Sequence, residues 1–211
     1  QTTDSSLTAP AGFYFGADIG QTGLAVISRE DRDDGTSYSE LGNQGKTLTG
    51  FAGYGIAHNR WFYGLELEAD TSENDITHSK NKITGRSFSF NKNEGYGASA
   101  RLGYTLPNGA LLYSRAGLVQ SLFNVEYSLN SSPQNALSTE KTLTGTRYGI
   151  GVEIPLSQHL FGRLESTYTN YRRFFASSVD FNDNLNPSEF QVNLGLSWFI
   201  TPRKKPDFRV A

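Results

Sequence analysis

Residues 61–70 read Trp-Phe-Tyr-Gly-Leu-Glu-Leu-Glu-Ala-Asp, WFYGLELEAD. Trp61, Tyr63, Leu65, Leu67 and Ala69 share one parity and are apolar, while Glu66, Glu68 and Asp70 share the other. Successive side chains of a strand point to opposite faces, so the stretch predicts a β-strand with one apolar and one acidic face. The acidic face can meet bulk water, or it can look into an enclosed space. In the second case the carboxylates need counter-charges, because an unpaired buried charge is costly.

Seven further stretches alternate in the same way. GFYFGADIG from Gly12 sets Phe13, Phe15, Ala17 and Ile19 against Asp18. TLTGFAGYGIA places Leu48, Ala52, Tyr54 and Ile56 on one face. EGYGASARLGY sets Tyr96, Ala98, Ala100, Leu102 and Tyr104 against Ser99 and Arg101. ALLYSRAGLVQ, the weakest pattern, sets Leu112, Ala116 and Leu118 against Arg115. RYGIGVEI sets Tyr148, Ile150, Val152 and Ile154 against Arg147 and Glu153. LFGRLESTY sets Leu160, Leu164 and Tyr168 against Arg163 and Glu165, and FQVNLGLSWF sets Phe190, Val192, Leu194, Leu196 and Trp198 against Gln191, Asn193 and Ser197.

Between these stretches, long polar connections (28–46, 71–93, 124–141 and 171–188) alternate with short turns at His58-Asn59-Arg60, Pro107-Asn108-Gly109 and Pro155 to Gln158. Strict alternation of long and short connections implies an all-β, eight-stranded antiparallel up-and-down barrel with two unlike ends. An even strand count returns both termini to the short-turn end. Residues 12–200 are expected to form the barrel, with 1–11 as an N-terminal segment and 201–211 (TPRKKPDFRVA, basic, with Pro202 and Pro206) as a tail.

Composition agrees with this. The 211 residues include 22 Gly, 14 Phe and 11 Tyr, which favours strands and turns. Cys is absent, which removes disulfides, thiolate metal sites and a cysteine nucleophile. Met is absent as well, and a chain that starts at Gln1 is expected to follow removal of a signal peptide. The formal net charge of −2 is not the basic field that nucleic acid requires. No run approaches the ~18 apolar residues of a membrane helix, whereas a membrane strand needs only about 9–11 residues.

Parity alone leaves two barrels open: a soluble, lipocalin-like barrel with an apolar ligand-binding core, or a membrane barrel with its apolar face outward. Three features favour the membrane. None of the eight apolar faces carries a charge. Trp61, Tyr63, Tyr104, Phe161, Trp198 and Phe199 gather near the short turns, as an interfacial girdle would. Many apolar-face residues are too small to fill a closed core. In the membrane reading, depth counted from the short turns brings Glu66, Glu68, Glu153 and Glu165 to one band with Arg101, Arg115 and Arg163. Asp18 and Arg147 fall at other heights. The interior of an eight-stranded barrel is just wide enough for side chains, so these groups are expected to pair into a salt-bridge network.

GIGVEIPLSQHLFGRLESTYTN (149–170), with LLYSRAG (111–117) and NLGLSWF (193–199), resembles the transmembrane domain of outer membrane protein A and its small-barrel relatives. GFAGYGIAHNRWFYGLELEAD (50–70) is also similar to alphaproteobacterial surface-antigen barrels. The resemblance covers residues 12–200. It implies an integral protein of the bacterial outer membrane, with long loops outside, termini in the periplasm and a lumen plugged by an internal Glu/Arg/Lys cluster that can act as a gate. By position, Glu66, Glu153 and Arg163 match that cluster, Arg115 matches another internal arginine, and the family's gate lysine falls near Arg101. Ile200 stands where the family's terminal Phe is usual.

The expected role is structural and surface-interacting, adhesin-like, through loops that meet lipid, lipopolysaccharide or host surface molecules. Arg172, Arg173, Phe174 and Phe175 are the candidate contact residues, and a monomer is expected. A narrow pore gated by the Glu/Arg cluster is the alternative membrane function. Catalysis is not expected, because His58, His78 and His159 fall in turns or loops with no evident nucleophile beside them. No cofactor or metal is expected either: DRDDG (31–35) only loosely resembles a calcium loop, and Glu73, Asp75 and His78 read as loop surface.

Overall fold

The computed structural model describes residues 9–32, 35–73, 76–80, 86–129, 137–172, 174–178 and 181–201, with side chains for 9–23, 44–72, 92, 94–123, 142–172 and 187–201. The strands are β1 (Gly12–Arg32), β2 (Gly35–His58), β3 (Trp61–Glu73), β4 (Ile76–Lys80), β5 (Arg86–Thr105), β6 (Leu111–Leu129), β7 (Leu137–Pro155), β8 (Leu160–Tyr171), β9 (Phe174–Ser178) and β10 (Phe181–Phe199). Neighbouring strands pair antiparallel in the order β1-β2-β3-β5-β6-β7-β8-β10, and β10 pairs back onto β1. The result is a closed eight-stranded up-and-down barrel. β4 continues along β5 beyond β3, and β9 continues along β10 beyond β8. Among the described residues there is no helix.

The wall is oily outside and polar inside. Leu65 (69%), Ile150 (67%) and Ile19 (65%) are exposed, while Glu66 (1%) and Glu153 (0%) are buried. Leu164 and Val192 face outward, Arg163 and Glu165 inward. A soluble, lipocalin-like core would require the reverse, so that alternative fails. Closure leaves no free sheet edge, which is what allows strands to sit in hydrocarbon.

Two expectations need correction. Phe161 and Phe199 do not belong to the outer girdle, since both are fully buried inside the barrel. The reason is parity: Phe161 shares its face with Arg163 and Glu165, and Phe199 with Asn193 and Ser197. The outward aromatics near the short turns are Trp61, Tyr63 and Trp198, with Tyr104 half-buried. Trp61 meets Tyr104 edge-on at 5.2 Å, and His159 stacks on Trp198 at 5.2 Å.

The long connections are also mostly strand. β1 and β2 run as a ribbon up to the pair Arg32↔Gly35, so most of 28–46 is paired backbone. Parts of 71–93, 124–141 and 171–188 continue in the same way. Strands of 21 and 24 residues far exceed the crossing requirement of about 9–11 residues. Outside the membrane a ribbon wets both faces, so polar sequence forms strand without the alternation that would announce it.

The short turns are tight. Asn59 adopts φ 55° and Gly109 φ 89°, left-handed conformations that Asn and Gly reach at low cost. Asn108 Oδ1 accepts from the Ala110 N–H (3.1 Å), and Ser157 Oγ accepts from the Leu160 N–H (3.0 Å). Beneath this end the Ala9 N–H donates to the Asn59 carbonyl (3.2 Å), and Ala9 packs into the aromatic floor of the lumen.

Candidate functional site

The lumen is filled from the short-turn end upward. Its floor is Tyr14, Phe51, Phe62, Leu111, Tyr113, Phe161 and Phe199. Tyr14 stacks on Phe199 (4.9 Å), and Phe161 meets Phe199 edge-on (5.1 Å). Wall glycines make room for the large rings: a Cβ at Gly53 would collide with the Tyr14 ring, and one at Gly151 with the Tyr113 ring. This alternation of small and large inward residues is how a narrow barrel is packed.

On the floor rests a lower tier of ion pairs. Glu66 (β3) is its hub. Arg101 (β5) Nη1 lies 3.0 Å from Glu66, Arg115 (β6) Nη1 lies 3.2 Å from it, and Arg163 (β8) forks onto both of its oxygens at 3.0 Å. Arg101 Nη2 reaches Glu153 (β7) at 2.8 Å, so its guanidinium bridges two carboxylates. Arg163 Nη2 and the Tyr113 hydroxyl both donate to Glu165 (β8), at 2.7 and 2.8 Å, and Arg115 Nη1 donates to its other oxygen at 3.0 Å. Two of the guanidiniums also face aromatic rings: Arg101 stands 3.8 Å over Tyr113 and Arg163 4.0 Å over Phe51. Carboxylates and ring quadrupoles thus both favour the cations.

Above it lies an upper tier centred on Glu189 (β10). Lys92 (β5) donates to both Glu189 oxygens at 2.9 Å and pairs with Asp70 (β3) at 2.9 Å. Arg147 (β7) contacts Asp70 (3.1 Å) and Glu189 (3.5 Å). Neutral donors complete the hub: Thr22 (3.0 Å), Tyr171 (2.8 Å) and Gln191 (2.9 Å). Glu68 joins the tiers, with one oxygen 2.7 Å from Arg115 and the other 3.0 Å from Arg147. Seven of the eight staves contribute a charge to this column, β2 being the exception among the described side chains.

All seven residues named from the sequence, Glu66, Glu68, Arg101, Arg115, Glu153, Arg163 and Glu165, therefore lie within the lower tier or at its upper margin. Asp18 meets this tier through Arg163 Nε at 3.6 Å, while Arg147 belongs to the upper one. Asp70, Lys92 and Glu189 were not singled out. Asp70 shares the parity of Glu66 and Glu68, and Glu189 that of Gln191 and Asn193, so for both the signal was present. Lys92 was hidden by a bulge: Lys92 pairs with Phe123 and Glu94 with Leu122, so Asn93 is the extra residue. Below the bulge the odd positions of β5 face inward, and above it Lys92 does.

The other candidates gather less. Arg172 is exposed, and its backbone N–H donates to the Thr144 carbonyl (2.9 Å). Arg173 and the side chains of Phe174 and Phe175 lie outside the described residues, as do Asp33, Asp34, Asp75 and the side chains of Glu73 and His78. His58 is exposed, and His159 Nδ1 lies 2.8 Å from the Phe199 carbonyl. Among the described residues no group of three or more His, Asp or Glu side chains is arranged to hold a metal ion.

The sequence profile of the outer membrane protein beta-barrel domain matches residues 4–197. Among solved structures, the outer membrane protein OprG from Pseudomonas aeruginosa superposes with a TM-score of 0.52 at 14% identity, over 90% of this chain and 96% of that one. Neisserial surface protein A gives 0.47 at 17% identity, over 91% and 99%. Ail, the attachment invasion locus protein of Yersinia pestis, gives 0.43 at 15% identity, over 89% and 99%. At these identities the likeness bears on the fold alone. Among curated proteins none matches the chain in sequence.

Proposed function

The chain belongs to the outer membrane protein beta-barrel family, and from that premise we propose that it is a monomeric surface-interaction barrel with a plugged lumen. Its working surface is the end that carries the long ribbons, held outside the cell, while the short turns and both termini face the periplasm. The observation that carries this reading is the inequality of the two ends. Strands of 19–24 residues rise well past the membrane on one side, and turns of a few residues close the other. Length beyond the bilayer has no use in spanning it, whereas loops and ribbons on a rigid scaffold commonly carry recognition. The lipid-facing wall binds outer-membrane lipid; Arg172, Arg173, Phe174 and Phe175 are the residues proposed to contact lipopolysaccharide phosphates or host surface molecules.

Below that surface the ion-pair column acts as a plug. Among the described residues, each of the five interior bases touches at least two carboxylates, so none of these five is free to accompany a passing ion. Catalysis has no place in this reading, since His159 is engaged with Trp198 and Phe199.

Epitope insertion tests the orientation. A tag within 130–136 should be stained on intact cells, and a tag in the Pro107–Gly109 turn only after permeabilisation; the opposite staining would end the proposal. A second reading, a narrow gated pore, is favoured by the sharing of Glu68 between tiers, because a shared carboxylate can change partners. Planar-bilayer conductance of wild type and Glu66→Ala separates the two. The plug requires a silent wild type, and if both proteins are silent the gate is lost as well.

A further inference from the structure

Above the closed barrel the sheet divides. The β2–β3 ladder ends at Lys46↔Glu73, and β2 forms no ladder with β4. The β7–β8 ladder ends at Gly145↔Tyr171, and β7 forms none with β9. The pairings that continue upward are β9-β10-β1-β2 on one side and β4-β5-β6-β7 on the other. Among the described residues the ribbon end is therefore two four-stranded sheets, each with two open edges. An open edge presents a row of unpaired backbone N–H and C=O groups.

The four edges are not alike. β4 and β9 have five residues each, and β4 carries His78 and Lys80. The open part of β7, 137–144, carries Glu140 and Lys141, and its Thr144 carbonyl already accepts from the Arg172 N–H (2.9 Å). The open part of β2 runs over 35–45 and is the longest of the four. Its ladder with β1 has no register shift, it holds no proline, and Glu40 is its one charge. Shortness, lysines, prolines and bulges are the usual means by which strand edges are kept from pairing. The open part of β2 uses none of them.

We infer that the open edge of β2 binds an extended, basic segment of another polypeptide, which adds to the outer sheet as a further strand. The inference rests on the surface-interaction reading above and gives that surface a class of partner. Main-chain groups along the edge supply affinity with little regard to sequence, and charge supplies a choice of partner. Glu40 stands at the middle of 35–45. A second copy of the chain, paired antiparallel along the whole edge, would set Glu40 opposite Glu40, and like charges directly opposite are destabilising. A Lys or Arg of a different polypeptide at that register is favoured instead.

The probe is a synthetic peptide as long as the edge, alternating Thr and Val with a central Lys. It is added to the full chain folded in detergent, and binding is read by hydrogen exchange. Detergent makes the result independent of how the barrel is inserted, which the epitope tags decide separately, so failure of one reading is distinguishable from failure of the other. At about ten times the peptide's Kd, alternate amides within 35–45 should exchange about tenfold more slowly. N-methylation of the peptide's amides at one parity should abolish this protection, and at the other parity should leave it, because only one edge of the peptide pairs. A central Glu in place of Lys should weaken binding about fivefold, and Glu40→Lys should reverse that preference. Absence of protection, equal binding of the two methylated peptides, protection confined to 137–144, or a preference unmoved by Glu40→Lys would overturn the inference. So would a dimer of the chain alone with 35–45 already protected, since the edge would then belong to a second copy.

Discussion

In the lower tier of the column, three guanidiniums surround the hub Glu66, and two of them, Arg101 and Arg163, also stand over aromatic faces. In the upper tier the hub Glu189 receives one ammonium, one distant guanidinium and three neutral donors, from Thr22, Tyr171 and Gln191. The lower hub thus depends on a few strong partners, and the upper hub spreads its dependence over many weak ones. Removal of one partner from a buried ion pair leaves an uncompensated charge and is strongly destabilising, while neutral hydrogen bonds each contribute only modestly. The tiers should therefore fail differently.

Arg163→Ala is expected to have the largest effect. It strips both Glu66 oxygens of a forked partner, takes a donor from Glu165 and removes the nearest cation from Asp18. A loss of about 3–5 kcal/mol in denaturant unfolding from detergent or lipid is expected. A loss below about 1 kcal/mol would mean that Arg101 and Arg115 take over its contacts, and the contrast between the tiers would disappear.

Lys92→Met should cost less, about 1–3 kcal/mol in the same assay, because Arg147 and three neutral donors stay on Glu189. A cost equal to that of Arg163→Ala would show that hydroxyls and an amide contribute little in this lumen. The smallest effect concerns the link between tiers. Arg115→Ala and Arg147→Ala, combined in a double-mutant cycle, should show a coupling of about 0.5–1 kcal/mol transmitted by Glu68. The coupling should vanish when the cycle is repeated on Glu68→Gln. If it survives there, the tiers communicate by another route.

The contrast between the tiers also shows which parts of the site can be read from a sequence. The lower tier lies nearer the short turns, where the outward face of each strand is apolar and the alternation is sharp. Arg101, Glu153 and Arg163 announce themselves against Leu102, Val152 and Leu164. The upper tier lies nearer the long-ribbon end, where the alternation fades. There Lys92 falls in a polar run whose parity a bulge at Asn93 shifts, and Glu189 precedes the first clear apolar alternation at Phe190. The aromatic floor was legible in composition and misassigned in place, since Phe161 and Phe199 look like girdle residues until their parity is followed strictly.

The sequence by itself determined the strand count, the antiparallel order, the inequality of the two ends and the direction in which the wall faces. The first three follow from period-2 alternation and from the spacing of turn residues, and the direction of the wall from the absence of charge and the small residues on the apolar faces; all of these are local. Only the tertiary structure decided which acid meets which base, because partners such as Arg163 and Glu66 lie 97 positions apart and meet across the lumen. It also decided the two hubs and the bulge that turns Lys92 inward. Those depend on closure of β10 onto β1, which sets the register of every inward side chain at once.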